Sequence, residues 1–328
     1  KAGDCKALTE ALLGLLTEPL DLPDFRELAV TVEQRATERI ESTRKLGELM
    51  REAYRRNPHN FRLFCPDETN SNRLGAVFEA SDRAWMETVT PDDVSLSPRG
   101  RVMEVLSEHN CHGWLEAYTL TGRHGLFATY EAFAMVSASQ TIQHGKWLQE
   151  ASHLPWRADV PSLNVLLSST AWRNDHNGFS HQGPGMLQVV LNGGAQHSRI
   201  YLPPDANCLL SVADHCFRSH NYVNLIVQDK QPQPQWLSMT EAIDHCTRGA
   251  SIWQWAGTEE DAGEPDIVMA CAGDIPTLET VAAAEIIKAK LPDIRLRVVN
   301  VVDLMTLLRP KDHPHGMSEL YFKELFTD

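Results

Sequence analysis

Between residues 61 and 234, short apolar runs alternate with stretches long enough to form helices, and few architectures accommodate that rhythm. Residues 61–64 read as a strand ending in a polar turn, 101–106 as a run leading into the Glu108 region, and 124–128 as another strand or turn. The segment after Thr129 reads as helical to about residue 151, and 163–168, 186–191, 198–202 and 223–227 supply further strands or short helices. The run Leu163-Asn164-Val165-Leu166-Leu167 is apolar without alternation, as a strand buried on both faces must be. The expectation is an α/β fold built on a parallel sheet flanked by helices.

After Gln231-Pro232-Gln233-Pro234 the pattern starts afresh. Residues 266–270 read as a strand, 277–290 as an alanine-rich helix and 294–302 as another strand, the beginning of a second α/β domain. A sheet of so few strands exposes its edge, so this unit is expected to be incomplete, or completed by another chain. Residues 1–60 read as a connecting arm with a short apolar helix over 8–16, a turn at 20–24 and a charged amphipathic helix over 41–55 that Asn57-Pro58 ends. Leu46, Leu49 and Met50 share one face of that helix. The expected division is an arm at 1–60, a first domain at 61–236 and an incomplete second domain at 237–328.

Beyond the 163–167 run lies an unusually polar stretch, Trp172-Arg173-Asn174-Asp175-His176-Asn177-Gly178-Phe179-Ser180-His181-Gln182. Open α/β sheets bind ligands outside the carboxyl ends of their strands, so this loop is expected to form an active-site wall. A net charge of −14 without any Lys/Arg-rich run argues against nucleic acid and anionic membranes as partners, but leaves room for a phosphorylated small molecule held by a few local cations. Seven scattered cysteines with no C-x-x-C pair read as reduced thiols of a cytoplasmic protein. The chain opens on Lys1 rather than methionine, and is expected to be processed or to be part of something longer.

Other motifs each admit a plain reading. Glu108, His109, Cys111 and His112 are all metal-ligand types, but their spacing matches neither H-E-x-x-H nor paired C-x-x-C. Glu108 is either a solvated helix-start residue or, if buried at a strand end, an acid/base group with a raised pKa. Tyr130 and Phe133, three apart on a helix, are either core packing or an aromatic platform for a flat heterocycle. Ser71 and Arg73 in Asp67-Glu68-Thr69-Asn70-Ser71-Asn72-Arg73 suit phosphate oxygens, or else an ordinary helix cap with a surface arginine. Lys230 is either a further cation for the same anion or one surface lysine among many. A Ser180/His176/Asp175 hydrolase triad lacks the G-x-S-x-G elbow, and neither G-x-G-x-x-G nor a Walker A motif is present.

Taken together, Pro66-Asp67-Glu68-Thr69-x-Ser71-Asn72-Arg73-Leu74, Leu106-Ser107-Glu108-His109, Thr121-Gly122-Arg123-His124-Gly125, Asp175-His176-Asn177-Gly178-Phe179-Ser180-His181-Gln182 and Lys230-Gln231-Pro232 resemble the phosphoketolases. These enzymes belong to the thiamine diphosphate-dependent transketolase superfamily. The resemblance runs from about residue 20 to the last and implies the pyrimidine-binding domain fold. It also implies phosphorolytic cleavage of xylulose 5-phosphate or fructose 6-phosphate to acetyl phosphate, an aldose phosphate and water, through a thiamine-bound dihydroxyethyl unit. By position, Glu108 is similar to the glutamate that hydrogen-bonds the cofactor's aminopyrimidine, and Tyr130 and Phe133 to the aromatic residues packed on that ring. His176, Asn177 and His181 match residues handling the sugar hydroxyls and the two-carbon unit, the histidines as acid/base groups. Ser71, Arg73, Asn177 and Lys230 match the phosphate-binding set.

One departure accompanies the match. The superfamily holds Mg²⁺ and the cofactor diphosphate through a G-D-G motif, and none occurs here; Ala272-Gly273-Asp274-Ile275 is not one. The resemblance therefore implies that the Mg²⁺ ligands belong to an amino-terminal domain, that this chain holds half of each active site in a homodimer or larger homo-oligomer, and that the chain alone is inactive. A transketolase-type ketol transferase and a non-catalytic subunit of the same fold are the other readings.

Overall fold

The computed structural model describes residues 19–66, 69–155, 157–170, 172, 185–192, 195–258 and 264–327. Eight parallel strands form the main sheet: β1 Phe61–Cys65, β2 Arg83–Ala84, β3 Leu96–Ser97, β4 Val102–Glu104, β5 His124–Tyr130, β6 Leu163–Ser168, β7 Ser198–Tyr201 and β8 Val223–Val227. Their order across the sheet is β3-β2-β4-β1-β5-β6-β8-β7. Every residue of β5, β6 and β8 is buried, which is why their sequences do not alternate. The register sets Leu63 beside Val102 and Leu126, and Tyr130 beside Ser168. From β1 the chain first fills one side of the sheet and then, from β5, the other. The crevice where a doubly wound sheet takes its ligands thus opens at the carboxyl end of β1.

Helices cover both faces. They are α1 Ser42–Arg56, α2 Glu108–Leu120, α3 Glu131–Ala134, α4 Ala138–Ser152, α5 Met186–Asn192 and α6 Ala206–Arg218. The expected amphipathic helix is α1, and it packs on the sheet: Leu46, Leu49, Met50 and Ala53 recur at helical spacing and are fully buried with Phe61, Leu63 and Phe217. Tyr54 on α1 accepts a hydrogen bond from Leu63 N at 2.6 Å and donates to Arg101 O at 3.1 Å, so one phenol ties the helix to β1 and to the residue before β4. The opposite face is packed by Cys111 and Leu115 of α2, Leu148 of α4 and Met186 and Val190 of α5. The expected apolar helix at 8–16 lies outside the described residues.

The second unit holds β9 Ala250–Ile252, β10 Ile267–Cys271 and β11 Leu296–Val301 in the order β9-β11-β10, with β9 antiparallel and β10 parallel to β11. Its helices are α7 Met239–Arg248, α8 Asp274–Lys290 and α9 Glu319–Phe326. The edge strand β10 starts on an exposed isoleucine, Ile267. Helix α7 opens with a Ser238/Glu241 capping box and closes at Gly249, whose φ is 75°. A Cβ there would collide with Thr306 Oγ1, so glycine suits both the backbone and the contact.

Asp205 joins the two units. Its Oδ1 caps α6 through Cys208 N at 2.9 Å, while Oδ2 accepts from Trp236 N at 3.1 Å and Leu237 N at 2.9 Å in the connecting segment. No helix among the described residues is long and apolar enough to cross a membrane.

Candidate functional site

Four carboxyl-terminal strand ends converge. The turn after β1 carries Thr69, Ser71, Asn72 and Arg73; β5 ends on Tyr130; β6 ends on Ser168; and β8 leads into Gln228, Asp229 and Lys230. Short two-way ties hold these segments together. Ser168 Oγ donates to Asn72 Oδ1, and Asn72 Nδ2 reaches Cys65 Sγ at 3.6 Å. Thr69 N donates to Glu104 Oε1 at 3.3 Å, while the other oxygen of Glu104 pairs with Arg83 Nε.

At the centre lies a buried ammonium. Lys230 is fully buried; its Nζ stands 3.6 Å from the Tyr130 ring centroid and donates to Ser71 Oγ at 3.1 Å. The Ser71 and Tyr130 hydroxyls are hydrogen-bonded to each other. A cation taken out of water is costly unless it is hydrogen-bonded and faced by negative density, here a hydroxyl oxygen and a ring face. Such an ammonium, beside the hydrogen-bonded Ser71 and Tyr130 hydroxyls, is suited to an incoming anion.

The rings of Tyr130 and Phe133 stack, with centroids 6.1 Å apart and planes at 24°. They do so by a route other than the expected one. Tyr130 is not on the helix with Phe133: it is the last residue of β5 and the extended cap of the one-turn helix α3, with φ −75° and ψ 143°. The sheet-to-helix corner, rather than helical periodicity, brings the rings together.

Glu108 is half-buried in the first turn of α2, just beyond β4, two strands across the sheet from β5. Ser107 caps this helix by accepting from Asn110 N at 3.3 Å, and a carboxylate in the first turn is favoured by the helix dipole. So Glu108 is a helix-start residue rather than a strand-end one. Its neighbours Cys111 and His112 point inward: Cys111 Sγ donates to Val105 O at 3.5 Å, and His112 Nδ1 donates to Glu116 Oε1 at 2.7 Å. His112 Nε2 is hydrogen-bonded to Thr141 Oγ1 at 2.8 Å, which locks α2 to α4 and so fixes the direction in which α2 presents Glu108.

Burial by itself would push the Glu116 carboxyl up, but hydrogen bonds from His112 and His144 outweigh it and carry the pKa down to about 2 from 4.5. A depressed carboxylate contributes stability that is present above the unfolded value and lost as pH falls through the folded one. Acid unfolding is therefore expected to steepen between about pH 4.5 and 2. Glu116→Gln should flatten that segment in a pH series of denaturant midpoints; an unchanged slope would contradict the role.

Arg73 has a positive φ of 66°, and its Nε donates to Glu41 Oε1 at 2.6 Å while Nη1 reaches Ser71 O at 3.4 Å. The structure thus brings Ser71, Arg73, Tyr130, Phe133 and Lys230 into one neighbourhood and places Glu108 beyond the carboxyl end of β4 in the same sheet. His176, Asn177 and His181 lie outside the described residues. Sequence reasoning missed Asp274, at the start of α8. Asp274 is wholly buried and accepts from Gln228 Nε2 at 2.6 Å and Asp229 N at 2.8 Å. Burial, and secondly the charge of Asp229, push its carboxyl up to about 7. Its only sequence signal is a Gly-Asp pair opening a helix directly after a strand.

Comparison with known proteins follows the same outline. The family model described as D-xylulose 5-phosphate/D-fructose 6-phosphate phosphoketolase matches residues 44–219, and the model of that family's C-terminal domain matches 230–328. A probable phosphoketolase of Bradyrhizobium diazoefficiens is 58% identical over 316 residues, which are 96% of this chain and 40% of that protein. The chain thus spans about two-fifths of the length of the curated relatives it matches. Among solved structures, a transketolase mutant from Pichia stipitis superposes with a TM-score of 0.66 at 17% identity, over 96% of this chain and 41% of that one. A structure described as a split-gene transketolase, inactive beta4 tetramer, gives 0.51 at 18% identity, over 80% of this chain and 71% of that one. These structural likenesses speak for the fold. The family models and the close relatives establish that the chain belongs to the D-xylulose 5-phosphate/D-fructose 6-phosphate phosphoketolase family.

Proposed function

We propose that this chain supplies the pyrimidine-side wall of a phosphoketolase active site. The reaction is xylulose 5-phosphate plus inorganic phosphate giving acetyl phosphate, glyceraldehyde 3-phosphate and water; fructose 6-phosphate would give erythrose 4-phosphate. The observation that carries this reading is the buried Lys230 ammonium over Tyr130 and beside Ser71, at the mouth of a parallel sheet. The residues present suit half of the cofactor. The stacked Tyr130–Phe133 pair offers a flat apolar surface, and the buried hydroxyls of Thr69, Thr129 and Thr170 have no hydrogen-bond partner among the described residues. When bound, thiamine diphosphate supplies the nucleophilic carbon at which the ketose is cleaved.

In this reading Tyr130 and Phe133 pack on the pyrimidine, and Glu108 shares a proton with a ring nitrogen. Ser71 and Lys230 hold phosphate oxygens, joined by Arg73 through the guanidinium N–H groups that Glu41 and Ser71 O do not take. His176, Asn177 and His181 handle the sugar hydroxyls, with the histidines moving protons. No Mg²⁺ ligand is assigned in this chain. The metal and the diphosphate would be held by an amino-terminal domain, contributed across a homodimer. The domain bounds of 1–60, 61–236 and 237–328, a cytoplasmic location and inactivity of the chain alone belong to the same proposal. The name of the split-gene neighbour, an inactive tetramer of comparable extent, supports the last point by analogy.

Product analysis of the holoenzyme tests the reaction: acetyl phosphate should form only when inorganic phosphate is present. Transfer of the two-carbon unit to an added aldose, with no acetyl phosphate, would make it a ketol transferase. Lys230→Met should raise the KM for inorganic phosphate by about tenfold or more, as expected for losing a charged hydrogen bond. An unchanged KM would remove Lys230 from the phosphate site.

A further inference from the structure

Lys230 can serve an anion only if its ammonium is held in one place, since a free lysine side chain spreads over many rotamers. Ser71 and Tyr130 meet its Nζ, and the backbone that carries it is anchored from the second unit. Asp274 Oδ2 accepts both Gln228 Nε2, at 2.6 Å, and Asp229 N, at 2.8 Å, while Oδ1 accepts Ile275 N at 2.7 Å in its own helix. One residue further on, Asp229 Oδ1 accepts Gln231 N at 2.7 Å and tightens the turn. The four residues 228–231 are therefore anchored at 228 and 229 by a carboxylate of α8 and closed at 231 by their own turn, with Lys230 between the anchors. Gln228, Asp229, Lys230 and Asp274 are all buried, so no water stands ready to replace these bonds.

We propose that Asp274 is the positioning residue that fixes Lys230 over Tyr130 and Ser71, making phosphate capture depend on the docking of α8 against the main sheet. The inference rests on the reading of Lys230 as a phosphate group, and it deepens that reading by adding a residue from the C-terminal domain that touches neither substrate nor cofactor. Removing the carboxylate leaves the Gln228 amide and the Asp229 N–H buried without their acceptor, and the loop must move to satisfy them. The cost then falls on binding, because the ammonium must be re-ordered each time an anion enters.

The test is a double-mutant cycle on the holoenzyme, with inorganic phosphate as the varied ligand. Asp274→Leu, which removes both carboxyl oxygens at similar size, is expected to raise the KM for phosphate about tenfold with kcat held within about threefold, and to add less than about twofold in a Lys230→Met background. Gln228→Leu, which removes one of the two donors, should shift KM the same way by a smaller factor and serves if Asp274→Leu does not fold. A tenfold effect that persists without Lys230, or an unchanged KM, overturns the proposal. A readout independent of turnover is the Nζ resonance of Lys230 in ¹⁵N-lysine-labelled protein, identified by its loss in Lys230→Met. Asp274→Leu should move it toward the position of exposed lysines, and a resonance that stays in place overturns the positioning role. If the parent enzyme makes no acetyl phosphate, the functional reading fails, while the resonance still decides whether Asp274 positions Lys230.

Discussion

Replacing Glu108 with glutamine in the holoenzyme is expected to lower acetyl phosphate formation by about 10²- to 10⁴-fold, the range of a lost proton-transfer group. The substitution is nearly isosteric, and Ser107 still caps α2 through Asn110 N, so the helix should persist. His112, Glu116 and Thr141 continue to bind α2 to α4, leaving the direction of residue 108 unchanged. What disappears is a carboxyl able to share a proton with a ring nitrogen, because an amide cannot take one up. The effect should therefore fall on kcat, with phosphate KM little altered. Activity within about threefold of the parent would mean that Glu108 is an ordinary first-turn residue of the kind the helix dipole favours.

Replacing Phe61 with alanine is expected to cost about 3–5 kcal/mol of stability. Phe61 opens β1 and is fully buried between α1 and α6. Its ring meets Tyr54 edge-on, with centroids 5.5 Å apart, and Phe217 at 5.4 Å. Truncation removes both aromatic contacts and opens a cavity beneath a helix that Tyr54 pins to the sheet, so the site cannot collapse easily. Urea midpoints at unchanged slope measure the loss. A loss below about 1 kcal/mol would show that the two helices close over the gap. Because β1 also leads into the Ser71–Arg73 turn, the variant should bind phosphate more weakly even where it remains folded.

The long strands were legible because burial on both faces leaves a run that is apolar and does not alternate, broken in β6 and β8 only near its start by the mutually hydrogen-bonded Asn164 and Asn224. The short strands β2 and β3 at one end of the sheet were not, being two residues each and only partly buried, with no periodicity to read. Strand order was also beyond the pattern. That β1 lies between β4 and β5 depends on pairing across some 40 and 60 residues of chain, and it is this order that places the crevice. At the site, local reading left each residue two meanings, and the family resemblance chose among them. Ser71 and Lys230, 159 apart in sequence, share a hydrogen bond that no spacing could announce. The aromatic pair was found for a reason that did not hold, since helical spacing was assumed one residue too early. Asp274 was noted only as part of a motif that failed to match, and its role follows from which loop its carboxylate faces.

The account's central claim is that these residues form one wall of a site whose diphosphate-binding wall lies outside them. The direct measurement is acetyl phosphate production from xylulose 5-phosphate, phosphate, thiamine diphosphate and Mg²⁺ by the 328-residue chain, alone and mixed with the amino-terminal diphosphate-binding domain of a phosphoketolase. The expected result is no turnover by the chain alone and acetyl phosphate on mixing. Turnover by the chain alone, or none from a mixture in which the two parts demonstrably associate, would contradict it.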